Sequence, residues 1–284
     1  MCPVPRAELK NAKGRIICSL SLGEGDTGAL LIHGYLATPE EMRGLAEHLA
    51  NDGLMVHAPL VAGHGTSLAD LLQTTWQDWY ASVEAALAGL QEQCRRTFVV
   101  GLSLGGLQAL HLAAHHPEVA GVVAMAPPAL LFFDERRPWR RKSNLKLWLV
   151  SRMPWLARIY RGEPSDATPR FLHADIGDEV ARRRHIYYWF NPTKAVLELL
   201  KYQRYVKEEL TLIRQPLLLI HSPLDHTVPP KSSSFVFDKV RSTDKTLDFE
   251  VAANSWHVLT EDVDREAVYD RIARFIESYA ARED

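Results

Sequence analysis

The chain has 284 residues, of which 46% are hydrophobic and 24% are charged, and its formal net charge is −2. A chain of this length can bury a full hydrophobic core, and α/β folds of this size often form one domain. This charge balance argues against a nucleic-acid-binding protein, which would carry a concentrated basic surface. No run approaches the roughly 18 consecutive apolar residues of a membrane span, which argues against a membrane-embedded protein.

The cysteines and the first ten residues indicate in which cellular compartment the protein is expected. Cys2, Cys18 and Cys94 are an odd number and have no metal-like spacing, which favours free thiols in a cytoplasmic protein. Residues 1–10 contain two prolines and no apolar segment, unlike a signal peptide. We therefore expect a soluble, cytoplasmic protein.

The first half of the chain alternates short apolar runs with longer amphipathic ones. The runs predict strands over Arg15–Ser21, Ala29–Ile32, Leu54–His57, Phe98–Val100 and Val119–Ala126. Helical periodicity predicts helices over Glu40–Asn51, Thr75–Gln93 and Leu104–His116. This alternation predicts an α/β fold with a mostly parallel central sheet and helices on both faces.

The alternation is interrupted after the fifth predicted strand. Between Pro127 and Gln215 there is no clear buried strand, and helical, aromatic and basic stretches take its place. A structureless loop of that length would be unusual. We therefore predict an inserted, mainly helical cap over residues 128–215 and an α/β core formed by residues 1–127 and 216–284.

The pattern resumes after the predicted cap. Leu217–Ile220 and Thr246–Val251 predict two more strands, and Glu261–Ala281 predicts a final helix. The residues of this helix expected to face inward are Val263, Val268, Ile272, Phe275 and Ile276.

The strongest motif is Gly101-Leu-Ser103-Leu-Gly105, which follows a buried-strand run and precedes a helical one. In that context G-x-S-x-G is typical of a tight strand-to-helix turn that exposes a nucleophilic serine. A glycine-rich turn that happens to contain serine is the alternative. We predict Ser103 as a nucleophile.

A serine nucleophile needs a base and an acid that orients the base. In this kind of fold they follow the serine in the order acid, then histidine. His257 follows the last predicted strand, and Asp225 follows the strand before it. The alternative for His257 is a cap of the final helix, and His226 is expected to shape the loop of Asp225.

Two backbone N–H groups are expected to form an oxyanion hole. Leu104 N–H is one donor because it begins the helix after the serine, and Tyr35 N–H, after the strand ending at His33-Gly34, is the other. We interpret His33 as structural, and His111, His115 and His116 as surface or packing residues that point away from Ser103.

With these residues identified, the chain resembles the bacterial carboxylesterases and monoacylglycerol lipases of the α/β-hydrolase superfamily. The matching motifs run in order from Leu30 to Leu259 and are His33-Gly34-Tyr35, Gly63-His64-Gly65, Trp76-x-x-Trp79, Gly101 to Gly106, Asp225 before Val228-Pro229, and Ser255-Trp-His257. The resemblance implies carboxylic ester hydrolysis through an acyl-enzyme, without a metal or organic cofactor. It implies Ser103, Asp225 and His257 as the triad.

The resemblance leaves the substrate open because the cap is longer and more basic than in those families. Relatives with the same triad include thioesterases and acyltransferases, and a non-catalytic ligand receptor on the hydrolase fold is an alternative of another class. Retention of all three triad residues argues against a receptor. We expect a small-molecule acyl ester substrate and no nucleic-acid partner; the oligomeric state is left open.

The predicted cap is aromatic and basic. Trp139, Trp148, Trp155 and Trp189 line an apolar acyl pocket in one interpretation and form the cap's own core in the other. Arg136–Lys142 carries five Arg/Lys residues around Trp139. The segment is either a transient contact with an anionic membrane surface or a solvated charged loop.

Overall fold

The predicted apolar runs lie side by side in a seven-stranded sheet. The computed structural model describes residues 17–130, 174–188 and 192–281. The strands are β1 (Leu20–Leu22), β2 (Thr27–Ile32), β3 (Met55–Ala58), β4 (Arg96–Leu102), β5 (Gly121–Met125), β6 (Leu217–Ile220) and β7 (Lys245–Asp248). Their order is β1-β3-β2-β4-β5-β6-β7. Only the edge pair β1–β3 is antiparallel among these strands, which confirms the predicted fold class.

Helices cover both faces of this sheet. Those in the described ranges are α1 (Arg43–Asn51), α2 (Leu68–Gln73), α3 (Trp76–Gln91), α4 (Leu104–His115), α5 (Glu179–Arg184), α6 (Thr193–Glu209), α7 (Lys231–Lys239) and α8 (Arg265–Ala280). One apolar layer combines α3, α4, α6 and α7 with the sheet, and the other combines α1 and α8 with it. Within the described ranges no helix combines the length and apolarity that crossing a bilayer takes.

Several element boundaries differ from the sequence prediction, and for two of them the structure gives the reason. β7 ends at Asp248 rather than Val251, because the Asp248 carboxylate accepts hydrogen bonds from Glu250 N and Val251 N, each at 3.0 Å, and folds the chain into a turn. The prediction that Val263 faces inward is wrong. Its side chain is 51% exposed because it lies in the turn before α8, which begins at Arg265.

Two short helices were not predicted from the sequence. The N-cap of α2 is Ser67, whose hydroxyl accepts a hydrogen bond from Asp70 N at 3.1 Å. α7 begins directly after Pro229-Pro230. Both helices are too short to show a clear period in an apolar pattern.

The sheet brings distant parts of the sequence to one edge. β2, β4, β6 and β7 are parallel, so their carboxyl ends lie at the same edge. The segments that follow these four strands contain Gly34, Ser103, Asp225 and His257. Ligands of open parallel sheets bind at this edge.

Glycine is required where α4 packs on the sheet. A Cβ on Gly101 would lie 2.0 Å from the carbonyl oxygen of Gly105, and a Cβ on Gly105 would lie 2.1 Å from that of Ile32. The atoms that each added Cβ would meet belong to the backbone, so a side-chain rotation cannot relieve the clash. The start of α4 therefore lies directly against the ends of β2 and β4.

We expect Gly101→Ala to destabilise the fold by about 3 kcal/mol or more, because the added methyl displaces the backbone of α4. Urea unfolding followed by circular dichroism measures the change. Gly89→Ala is the control, since nothing lies within 4 Å of a Cβ at this position in the last turn of α3. It should stabilise the fold by about 0.5–1 kcal/mol. Equal stabilities of the two variants would contradict the packing argument.

Candidate active site

Ser103 lies in a strained turn between β4 and α4. Its backbone has φ 55° and ψ −117°, a positive φ that is uncommon for a residue other than glycine. Its N–H donates to Met125 O at 2.9 Å, which ties the turn to β5. The strain is maintained by the packing of Gly101 and Gly105. This geometry is that of a nucleophile elbow.

His257 lies between Ser103 and Asp225. Its Nε2 is 2.9 Å from Ser103 Oγ, and its Nδ1 is 2.7 Å from Asp225 Oδ2. An ionised carboxylate only accepts, so Nδ1–H donates to Asp225 and Nε2 is left to accept from the serine hydroxyl. The structure thus brings together the three residues that the sequence predicted as a triad.

Asp225 is buried but is surrounded by donors. Its Oδ1 accepts from Thr227 N at 2.8 Å and from Val228 N at 2.7 Å. Its Oδ2 lies 3.2 Å from His221 Nε2 as well as beside His257. Burial alone raises the pKa of the Asp225 carboxyl, but His257 and His221 outweigh burial and hold that pKa well below its usual range. Asp225 is therefore ionised at neutral pH.

The protonated form of His257 is favoured by its neighbours. Burial lowers the pKa of the imidazole, whereas the charge and hydrogen bond of Asp225, together with the charges of Asp175 and Glu41, raise it. The net pKa lies above the ordinary value of 6.5. The ring is thus an effective proton acceptor in the middle of the physiological range.

The loop after β2 approaches the nucleophile closely. A Cβ on Gly34 would lie 3.5 Å from the Cβ of Ser103, so Tyr35 follows directly on the residue that contacts the serine. His33 holds this loop: its Nδ1 bonds to Gly34 O at 2.9 Å, and Val61 N donates to its Nε2 at 3.2 Å. Leu104 is the first residue of α4. The two predicted oxyanion donors thus belong to segments that border Ser103.

Glu41 was not identified from the sequence. It is 4% exposed, its carboxylate accepts a 2.5 Å hydrogen bond from Gly34 N, and His185 Nε2 lies 3.9 Å away. Burial raises the pKa of Glu41 to about 7. The sequence contains one signal for it: Glu41 lies four residues before Leu45 and so shares the buried face of the predicted helix Glu40–Asn51. A buried titratable group with a strongly shifted pKa often belongs to a functional site.

His226 and His111, which the sequence analysis left out of the triad, have partners other than Ser103. His226 is exposed, and its Nδ1 lies 2.9 Å from Asp175 Oδ1, so it holds the loop of Asp225. His111 is buried in α4 and its Nδ1 lies 3.0 Å from the hydroxyl of Tyr202 in α6.

The segment 174–188 is tied to the loop that carries His257. Asp175 O accepts from His257 N at 3.0 Å and from Val258 N at 3.2 Å. The Asp262 carboxylate accepts from Gly177 N at 2.8 Å and from Trp256 N at 2.7 Å. Five backbone N–H groups take part in this connection, the fifth being that of Asp178.

The described residues around Ser103 enclose a cavity of about 430 Å³. Its apolar wall includes Leu36, Leu102, Pro128, Leu199 and Val258, and its polar lining includes Glu41, Asp175, His185, Thr227 and His257. This size and this mixture are typical of small-molecule sites. Trp139, Trp148, Trp155, Trp189 and Arg136–Lys142, which the sequence placed in the cap, lie outside the described residues.

A family model described as serine aminopeptidase, S33, matches residues 26–264. The chain is 34% identical over 258 residues to a thermostable monoacylglycerol lipase of Bacillus sp. strain H-257, covering 90% of this chain and 92% of the relative. It is 25% identical over 254 residues to a carboxylesterase of Bacillus subtilis strain 168, covering 89% and 93% respectively.

Solved structures show the same fold. One from work on the metagenome-derived lipolytic enzymes LipS and LipT has a TM-score of 0.76 and 28% identity, covering 92% of this chain and 97% of the other. The monoacylglycerol lipase of Paleococcus ferrophilus has a TM-score of 0.72 and 21% identity, covering 92% and 98%.

We expect Asp225→Asn to move the acid limb of the kcat/KM profile on a p-nitrophenyl ester to lower pH. Loss of the carboxylate removes the main influence that raises the pKa of His257, so the imidazole stays neutral at lower pH. kcat should fall by about 10⁴-fold, because the amide no longer enforces the required tautomer. Asp175→Asn is the control and should move the acid limb by a smaller amount. An acid limb at the same pH in both variants would contradict the assignment of Asp225 as the main group that raises the pKa of His257.

Proposed function

The chain belongs to the serine aminopeptidase S33 family of α/β-hydrolases and is an ester hydrolase, and we propose that it cleaves carboxylic esters with an apolar acyl chain through an acyl-enzyme on Ser103. Monoacylglycerols are the proposed substrate class. The observation that carries the proposal is the pair of contacts that His257 makes, 2.9 Å to Ser103 Oγ and 2.7 Å to Asp225 Oδ2.

Acylation follows from these contacts. His257 Nε2 takes the proton of Ser103 as Oγ attacks the ester carbonyl, and Asp225 stabilises the imidazolium that forms. The N–H groups of Tyr35 and Leu104 donate to the oxyanion, and the positive end of the α4 dipole favours the same charge. The imidazolium then protonates the leaving alcohol, and the acyl group stays on Ser103.

Deacylation repeats these steps with water. His257 removes a proton from a water molecule, which attacks the acyl carbonyl, and the oxyanion is held by the same two N–H groups. The imidazolium returns its proton to Ser103 Oγ as the carboxylic acid leaves. Because every proton passes through His257, the proposed cycle uses only groups of this chain and one water.

The cavity supports an apolar acyl chain and a polar alcohol. Leu36, Leu199 and Val258 supply apolar wall, and each buried methylene contributes about 0.8 kcal/mol. Asp175 and Thr227 line the same cavity and offer hydrogen bonds to hydroxyl groups. The 34% identity to a protein named a monoacylglycerol lipase supports the same substrate class.

We extend the proposal to the division of the chain. Residues 128–215 form the cap, and residues 1–127 and 216–284 form the core. Supporting this, Tyr188 and Leu199 from the cap segment line the cavity beside Ser103. The Tyr188 hydroxyl also accepts from Thr66 N at 3.0 Å, which joins the segment to the loop before α2. Cytoplasmic location and membrane contact of Arg136–Lys142 stay predictions.

We expect Ser103→Ala to abolish turnover of p-nitrophenyl octanoate and labelling by a fluorophosphonate probe, because no other group replaces Oγ. Ser278→Ala in α8 is the matched control, since the Ser278 hydroxyl bonds only locally to Phe275 O in the described structure. It should keep both properties. Undiminished turnover in Ser103→Ala would remove Ser103 from the mechanism, and an unlabelled wild-type chain would favour the receptor alternative.

A series of p-nitrophenyl esters from acetyl to dodecanoyl tests the acyl pocket. kcat/KM should rise by up to about fourfold per methylene until the cavity is filled, the factor that corresponds to about 0.8 kcal/mol. 1-Monoacylglycerols should be hydrolysed faster than acyl-CoA thioesters of equal chain length. A flat series would argue against an apolar acyl pocket. Faster cleavage of the thioesters, or transfer to an added alcohol, would favour a thioesterase or an acyltransferase.

A further inference from the structure

Two histidines and a glutamate meet at the far end of α4 from Ser103. His111 and His115 lie one turn apart on α4, and Glu209 is the last residue of α6. His111 Nε2 is 3.3 Å from Glu209 Oε2, and His115 Nε2 is 3.0 Å from Glu209 Oε1. One nitrogen of each ring and one carboxylate oxygen lie within 4.8 Å of one another. We call this group the α4–α6 cluster.

The spacing of the α4–α6 cluster matches a metal coordination sphere. Zinc binds imidazole nitrogen and carboxylate oxygen at about 2.0–2.2 Å, which places neighbouring ligands of a tetrahedral ion about 3.3–3.6 Å apart. The distances of 3.3 Å and 3.0 Å from Glu209 to His111 and His115 are close to that range. Histidines at positions i and i+4 of a helix hold zinc in other proteins for the same geometric reason.

His111 is oriented as a metal ligand would be. Its Nδ1 lies 3.0 Å from the Tyr202 hydroxyl, and its ring stacks on Tyr80 with centroids 3.9 Å apart. A hydrogen bond at Nδ1 directs the Nε2 lone pair to a metal and fixes the tautomer.

Glu209 also has capacity left for a ligand. Within the described part of the chain, its Oε2 is buried and meets no donor in hydrogen-bonding geometry. A buried carboxylate oxygen without a partner is costly unless a cation or donor satisfies it. On the other side, the His115 side chain is 41% exposed, which gives solvent access for an ion and a water ligand.

We propose that His111, His115 and Glu209 bind a Zn²⁺ ion, with water completing a tetrahedral site. Two imidazoles and one carboxylate favour zinc over Mg²⁺ or Ca²⁺, which prefer all-oxygen sites. The ion joins α4 of the core to the end of α6. It lies at least two helical turns from the nucleophile that precedes α4, so it stabilises the packing of the two helices and takes no part in the ester chemistry.

The test is a Zn²⁺ titration of chelator-treated protein by isothermal calorimetry, with His115→Ala and Glu209→Gln as variants. The His115 side chain is 41% exposed, and glutamine keeps the shape of Glu209, so both variants should fold, and far-UV circular dichroism checks this. His116→Ala is the matched control, because the neighbouring His116 ring bonds to Glu84 and Glu118 instead. Wild type and His116→Ala should bind one more Zn²⁺ than the other two variants.

Thermal unfolding gives a second readout. Free Zn²⁺ at about 100 times its Kd should raise the Tm of wild type and His116→Ala by roughly 5 °C or more and should shift the two cluster variants less. Zinc held by thiols or by His257 persists in every variant, so it cannot produce this difference. Equal stoichiometry and equal Tm shifts in wild type, His115→Ala and Glu209→Gln would overturn the proposal, as would wild type that takes up no zinc.

Discussion

A contact between backbone atoms at the start of α4 is the constraint on which the whole site depends. Gly105 packs on Ile32 O and Gly101 packs on Gly105 O at distances that leave no room for a side chain. The contact fixes the ends of β2 and β4 and the first turn of α4 relative to one another. The nucleophile, the first amide of the helix and the loop of Gly34 therefore form one rigid unit, which costs little reorganisation when charge develops during a reaction.

The second principle of the site is that its buried charges stabilise one another. Asp225 stays ionised in the interior because two histidines and two backbone N–H groups surround it. The pKa of His257 is raised because Asp225, Asp175 and Glu41 together outweigh the effect of burial. Among the described residues, Glu41 accepts from one backbone N–H, that of Gly34, and His185 Nε2 lies 3.9 Å away, so burial dominates and the pKa of Glu41 rises. The same degree of burial thus gives opposite shifts according to the donors within reach.

Features governed by local pattern could be predicted from the sequence, and features governed by contacts between distant segments could not. β6 occupies the predicted residues Leu217–Ile220, because four consecutive buried apolar residues favour a central strand. The G-x-S-x-G motif, the chain order and the positions after predicted strands together selected Ser103, Asp225 and His257, which the structure brings within hydrogen-bond distance. Periodicity contains no information about Asp248 ending β7, nor about Glu41 reaching Gly34, since each depends on which side chain meets which backbone group in space.

The link between segment 174–188 and the loop of His257 has a consequence for how this protein can diverge or be redesigned. The hydrogen bonds that orient the base are donated to Asp175 O, and the Asp262 carboxylate binds both Gly177 and Trp256. Segment 174–188 is thus part of the support of the imidazole. To exchange substrate specificity between relatives and keep His257 aligned, a recombination breakpoint should therefore lie before Ala174. A chimera joined after His185 would combine the His257 of one parent with the supporting segment of the other.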